Sequence, residues 1–213
     1  MVSAQWLFLL AASASWAQAP AALSQLRQWA GFSEPAAPQA APPRRTSEAI
    51  EGIEVEGDAY FKAKTRAALG LLKNLPEFAA IQSHLSRIKQ FSCSGVFPNE
   101  EHPIFYVGRP TFQAPLLWYA SVIAHESYHV TLHRQAKAAN GGREPGVEAY
   151  IGAAPERASI EFQMKVLERL NAPEYLLSYL VRIAKNPRYQ GLDKNKSEIV
   201  IDTKEDVCKI RDW

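Results

Sequence analysis

The chain contains only two cysteines. That scarcity excludes a small disulfide-knit scaffold and a metal site built from four thiolates. Neither sign of charge is in excess. Lys and Arg number 24 against 22 Asp and Glu, a formal net charge of +2. The near-balance excludes a nucleic-acid binder driven by bulk electrostatics, and equally an acidic solvating chain. Beyond the first twenty residues no apolar run is long enough to cross a membrane. No internal repeat is present. What remains is a chain of 213 residues, 47% hydrophobic and 22% charged. Such a chain is composed like a globular protein and holds one domain with some length to spare for tails.

The spare length lies at the N-terminus. Trp6-Leu7-Phe8-Leu9-Leu10-Ala11-Ala12 is a short apolar core, and small residues follow it. Ser15-Trp16-Ala17 puts small side chains at the two positions a signal peptidase reads, so residues 1–17 are expected to be a signal peptide. The mature protein is then exported, either secreted or periplasmic, with no stable membrane insertion once the signal is cut. Residues 18–47 are rich in Ala and Pro and contain almost no large apolar side chain, the composition of a linker or disordered segment. The folded domain is expected over 48–213. In an oxidising compartment Cys93 and Cys208 predict a disulfide between the domain body and the C-terminal tail. A loop so long is worth on the order of 4 kcal/mol by the chain-entropy account.

Within the domain, apolar spacing predicts a helix over 57–75, with Phe61, Thr65, Leu69 and Leu72 on one face. Pro76 breaks it. A second helix is expected after Pro76, with a stripe of Phe78, Ile81, Leu85 and Ile88, and His84 at its surface. Ile104 to Val107 reads as a strand bounded by prolines, with a sheet edge as its natural place. The stretch 115–139 has no internal Pro or Gly and is the longest expected helix, ended by Asn140-Gly141-Gly142. Further helices are expected over 155–170 and 174–185, and a strand over 198–201. The fold class is α+β, mostly helical, with a small β-sheet.

The long helix carries His125-Glu126-Ser127-Tyr128-His129, an HExxH pattern. Residues four apart on a helix lie about 6 Å apart along the axis on nearly one face. Two imidazoles so placed converge on a Zn²⁺ at about 2.0–2.1 Å. The glutamate after the first histidine is poorly placed to bind the metal but well placed for its water, where a general base is needed. Glu126 is the only charged residue between Pro115 and Val130, unlike a solvated helix.

A catalytic zinc keeps three protein ligands and one open position. His133 lies about 12 Å along the axis from His125 and is expected at the helix surface. Gln135 stands where the metzincin arrangement requires its third histidine. The downstream candidates are Glu148, Glu156 and Glu161. Arg157, Glu161, Lys165 and Glu168 form one polar helix face, whereas Glu156, Ser159, Gln163, Val166, Leu167 and Leu170 share the other. Glu156 also sits in a first turn, where the helix dipole favours a carboxylate, and small Ala158 and Ser159 allow close helix approach. Glu156 therefore ranks first, Glu148 second and Glu161 third.

These residues resemble the gluzincin branch of the zincin metallopeptidases, especially the small single-domain ones. The resemblance rests on His125 to His129, on a second helix opening Glu156-Arg157-Ala158-Ser159-Ile160-Glu161-Phe162-Gln163, and on the strand before the motif helix. It covers about residues 57–185. It implies a zincin-like domain with one Zn²⁺ held by His125, His129 and Glu156. Glu126 would be the catalytic base, and a peptide or protein the substrate. Tyr106, Tyr150 and Tyr175 are all open as the group that steadies the transition state. If the 104–107 strand edges the cleft, it could pair with an extended peptide. The alternative is a non-catalytic exported binding module with a structural or lost zinc.

Overall fold

A computed structural model gives the protein's structure over residues 45–185. The first element is a hairpin. Strands β1 (Thr46–Ile50) and β2 (Ile53–Gly57) pair antiparallel, with Ile50 opposite Ile53. Glu51 and Gly52 between them have φ of 46° and 79°. Two consecutive left-handed residues match the twist of the strands they join.

The chain then crosses over through two helices, α1 (Ala59–Leu72) and α2 (Phe78–His84), to β3 (Arg87–Gln90), which runs parallel to β2. The Asp58 side chain caps α1 by accepting the Phe61 N–H at 2.8 Å. That bond, against the cost of burial, holds its carboxyl below the ordinary value. Phe61, Thr65, Leu69 and Leu72 form the buried face of α1, as their spacing predicts. The second expected helix is shorter than the stripe implied. It ends at His84, Leu85 is extended, and Ile88 belongs to β3.

Two short strands complete a five-stranded sheet in the order β1-β2-β3-β5-β4. They are β4 (Gly95–Val96) and β5 (Ile104–Val107). β5 is parallel to β3 and antiparallel to β4. The expectation that 104–107 lies at a sheet edge is therefore overturned: it is paired on both sides, and the edge is β4. Only Thr46 and Ser47 of the expected 18–47 segment fall within the described residues beyond Arg45, and both are strand.

After the one-turn α3 (Arg109–Gln113) comes α4 (Leu116–Ala139), the long helix of the HExxH pattern. It ends as its Asn-Gly-Gly sequence predicts. Gly141 is left-handed at φ 67°, its N–H bonds Ala138 O, and the Gly142 N–H bonds Lys137 O. A loop with a single 3₁₀ turn (Val147–Ala149) leads to α5 (Ala153–Arg169) and α6 (Glu174–Ala184). Pro155 is the third residue of α5 rather than the first.

The core lies between the sheet and α4. Ile53, Val55, Ile88, Phe105 and Val107 from the sheet, Phe61 and Leu69 from α1, and Tyr119 and Ile123 from α4 are wholly buried. Each such side chain is worth roughly 1.5–3 kcal/mol over its exposed state. The Tyr119 hydroxyl is paired with Thr65 Oγ1 at 2.8 Å. A second apolar cluster, with Ile160, Leu167, Leu176 and Leu180, joins α5 to α6. The fold is thus α+β with a small mixed sheet, and α4 is held between the sheet on one side and α5 on the other. No described helix is long and apolar enough to cross a membrane. The strand expected over 198–201 lies outside the described residues.

Candidate metal centre

The inner face of α4 is built for burial. Tyr119 to Ser127 are all buried, as are His129 and Val130. His125 and His129 are each 3% exposed and Glu126 is fully buried. Across from them, α5 turns Ser159 and Gln163 inward and Arg157, Glu161, Lys165 and Glu168 outward. Ser159 has no exposed surface, so its small side chain lies directly in the contact between the helices. The rings of Tyr128 and Phe162 stack across the same contact, with centroids 4.6 Å apart and planes 15° apart. The apposition brings the Glu156 carboxylate onto the two histidines.

Three donor atoms converge there. His125 Nε2 and His129 Nε2 are 3.2 Å apart. Glu156 Oε1 is 3.3 Å from His125 Nε2, and its Oε2 is 3.3 Å from His129 Nε2. A small tetrahedral cation with bonds of about 2.0–2.1 Å separates neighbouring ligand atoms by about 3.3–3.4 Å. The spacing of the two nitrogens, and of each nitrogen from its nearer carboxylate oxygen, is close to that of such an ion's ligands. The His125, His129 and Glu156 group, with one ligand atom each within 4.8 Å of the others, can hold a metal ion. Burial opposes a charge on Glu156. The facing imidazoles, positive when protonated, outweigh it and hold the carboxyl well below the usual carboxylate range.

The hydrogen bonds behind the histidines settle which ring nitrogen faces the triangle. Ser121 Oγ donates to the Trp118 carbonyl at 2.8 Å. A carbonyl only accepts, so the serine proton is committed and its oxygen accepts from Gln163 Nε2 at 3.0 Å. That orients Gln163 Oε1 toward His125 Nδ1, 3.1 Å away, which must carry the proton. His129 Nδ1 meets the Tyr150 carbonyl at 2.9 Å and is a donor for the same reason. Nε2 is therefore the nitrogen each ring has left for a metal, the arrangement that outer partners of metal-binding histidines enforce.

Comparisons with known protein families, with curated proteins and with solved structures find no match for this chain. The chemistry of the centre rests on its own side chains.

The other sequence candidates fall away from the triangle. Glu148 sits in the 3₁₀ turn and Glu161 on the outer face of α5, both exposed. His133 departs from expectation. It is not a surface residue but 4% exposed, bonded through Nε2 to Glu144 Oε1 and set edge-on to the Tyr150 ring. His84 is half-buried, its Nδ1 2.9 Å from Thr131 Oγ1 on α4. Burial, with Arg134 nearby, lowers its basicity. Tyr106 packs edge-on to Phe91 and Phe97, Tyr175 is 62% exposed on α6, and Tyr150 serves through its backbone. No described cysteine is a free thiol. Cys208, the expected partner of Cys93, lies outside the described residues.

Sequence reasoning placed Gln163 on the inner face without giving it a task. A buried amide must find partners, and that requirement was the available signal. The Tyr150 carbonyl carries no side-chain signature at all.

Proposed function

We propose that the protein is an exported zinc-dependent peptidase of the gluzincin kind. The observation that carries this reading is the convergence of two Nε2 atoms 3.2 Å apart with a carboxylate whose two oxygens each lie 3.3 Å from one of them, with the fully buried Glu126 next to His125 in the chain. The donor set favours zinc, which takes imidazole nitrogen and carboxylate oxygen in tetrahedral sites. His125, His129 and Glu156 would hold it and leave one position open. A zinc ion so bound makes water acidic near neutral pH and polarises a carbonyl.

The chain's own residues supply the remainder. Glu126 follows His125 on the same helix, and its carboxylate takes the proton of the attacking water and returns it to the leaving amine. Gln163 and the Tyr150 carbonyl each accept a hydrogen bond from one Nδ1, which leaves Nε2 of both imidazoles for the metal. Export through residues 1–17 and a Cys93–Cys208 disulfide belong to the same reading. Linked peptides in a non-reduced digest of protein from its native compartment would support the disulfide.

The deciding experiment pairs metal analysis with cleavage of unfolded casein, with and without a chelator. Parent protein is expected to hold close to one equivalent of zinc and to lose cleavage with the metal. Glu126→Gln should keep the zinc and abolish cleavage. Loss of zinc in Glu126→Gln would refute the division of labour. Zinc without cleavage in the parent would favour the binding-module alternative.

A further inference from the structure

His133 is buried and takes no part in the metal triangle, yet it is the hub of a clasp. One full turn after His129 on α4, its Nε2 is bonded to Glu144 Oε1, and Lys137 Nζ reaches the other carboxylate oxygen of Glu144 at 2.9 Å. Asn140 Nδ2 donates to the Glu144 carbonyl at 3.3 Å. Two residues of the last turns of α4 and its capping Asn140 thus hold Glu144, which is itself in the loop. From Glu144 the chain passes through Pro145, Gly146 and the 3₁₀ turn to Tyr150. The Tyr150 ring packs edge-on to His133 with centroids 4.8 Å apart, and its carbonyl accepts from His129 Nδ1.

The segment's other hydrogen bonds are local, such as those between Arg143 and Asn140 and those of the 3₁₀ turn. Gly141, Gly142 and Gly152 all have positive φ, and residues 141–144 and 146–148 are exposed. A glycine-rich loop loses more entropy on ordering than most, so a bond that ties its middle to a rigid helix has a large say in where its end lies.

We infer that Glu144 is a positioning residue: it pins the 141–152 loop to α4 through His133 and Lys137, and so sets the Tyr150 carbonyl on His129 Nδ1. Its consequence for metal binding rests on the zinc reading, but the positioning itself does not. Glu144 is exposed and touches none of the three donors, so any effect on them passes through the loop.

The test uses the mature full-length chain as parent, Glu144→Ala, Glu144→Gln and, as a neighbour control, Glu148→Ala. In metal-free protein, nitrogen NMR of the imidazoles reads the tautomer of each histidine. His129 is expected as the Nδ1–H form in the parent and in Glu148→Ala, and as a mixture in Glu144→Ala. Glu144→Gln, whose single amide oxygen keeps an acceptor for Lys137 or His133 but not both, should recover part of the parent signal, and His125 should stay unchanged throughout. Zinc affinity by chelator competition should fall about three- to tenfold in Glu144→Ala, below the 10–100-fold typical of a direct outer partner. An unchanged His129 tautomer in Glu144→Ala, or the same change in Glu148→Ala, would overturn the proposal. A parent that takes up no zinc would overturn the zinc reading alone, because the tautomer still decides the clasp.

Discussion

The two histidines of the centre are supported in opposite ways. Behind His125 stands a relay of side chains, Gln163 and Ser121, which are 3% and 0% exposed and end on a backbone carbonyl of α4 itself. Every member sits on one of two packed helices. Behind His129 stands one backbone carbonyl, delivered by a loop with several glycines and an exposed middle. The first support is rigid and is written in side chains. The second is written in loop conformation, so substitution reaches it only indirectly. An imidazole can thus be held in the same tautomer by two devices with different susceptibilities.

Glu156 belongs to both sides, since each of its oxygens faces a different histidine. Glu156→Ala should have the largest effect, lowering zinc affinity by more than the roughly 100-fold upper range of outer-partner changes. Glu161→Ala, on the solvated face of the same helix, should match the parent. Isothermal titration with zinc reads both, and the reverse order would mean that the α5 face is misassigned.

Gln163→Leu attacks the rigid side alone. It removes the acceptor for His125 Nδ1 and the donor for Ser121 Oγ in a buried place. About 10–100-fold of zinc affinity should go with it. Unpaired polar atoms left inside should cost about 1–3 kcal/mol of stability in denaturant titration. Parent-like affinity would show that the relay does not tune the metal.

Gly152→Ala attacks the loop side. Gly152 precedes α5 with φ 123° and ψ −173°, a conformation nearly reserved for glycine, and its carbonyl accepts the Glu156 N–H at 2.9 Å. The substitution should cost about 1–3 kcal/mol, seen as a lower melting temperature. A melting temperature equal to the parent's would indicate that the loop yields without strain.

The helices of this fold were legible because their signals are long. The α4 stretch lacks Pro and Gly and, up to Val130, any charge but Glu126, and the alternation of faces on α5 repeats over four turns. The first four strands were not legible, and the reason is chemical. Glu54 and Glu56 on β2 face Arg87 and Lys89 on β3 across the solvent side, with ion pairs of 2.6 Å from Arg87 to Glu54 and 2.8 Å from Lys89 to Glu56. β2 and β3, four or five residues long with charges at alternate positions, resemble loop, and β4 is only two residues long. Ile88 happened to extend the helical spacing of Phe78, Ile81 and Leu85, so one strand was absorbed into a helix. At the centre, the donors advertised themselves by spacing. The clasp did not, because His133 meets a residue of a loop whose path no local periodicity encodes.

The three candidate ligands and the Ser121–Gln163 relay lie within residues 121–163, and the longest-range bond among them, Gln163 to Ser121, spans a sequence separation of 42. Loop-closure entropy rises only slowly with length, and contacts of short separation form early. A cation captured there acts as a cross-link on two neighbouring helices and not on distant ends of the chain. Metal binding there would therefore be coupled to the packing of α4 on α5, and through α5 to the burial of Ile160 and Leu167 against Leu176 and Leu180.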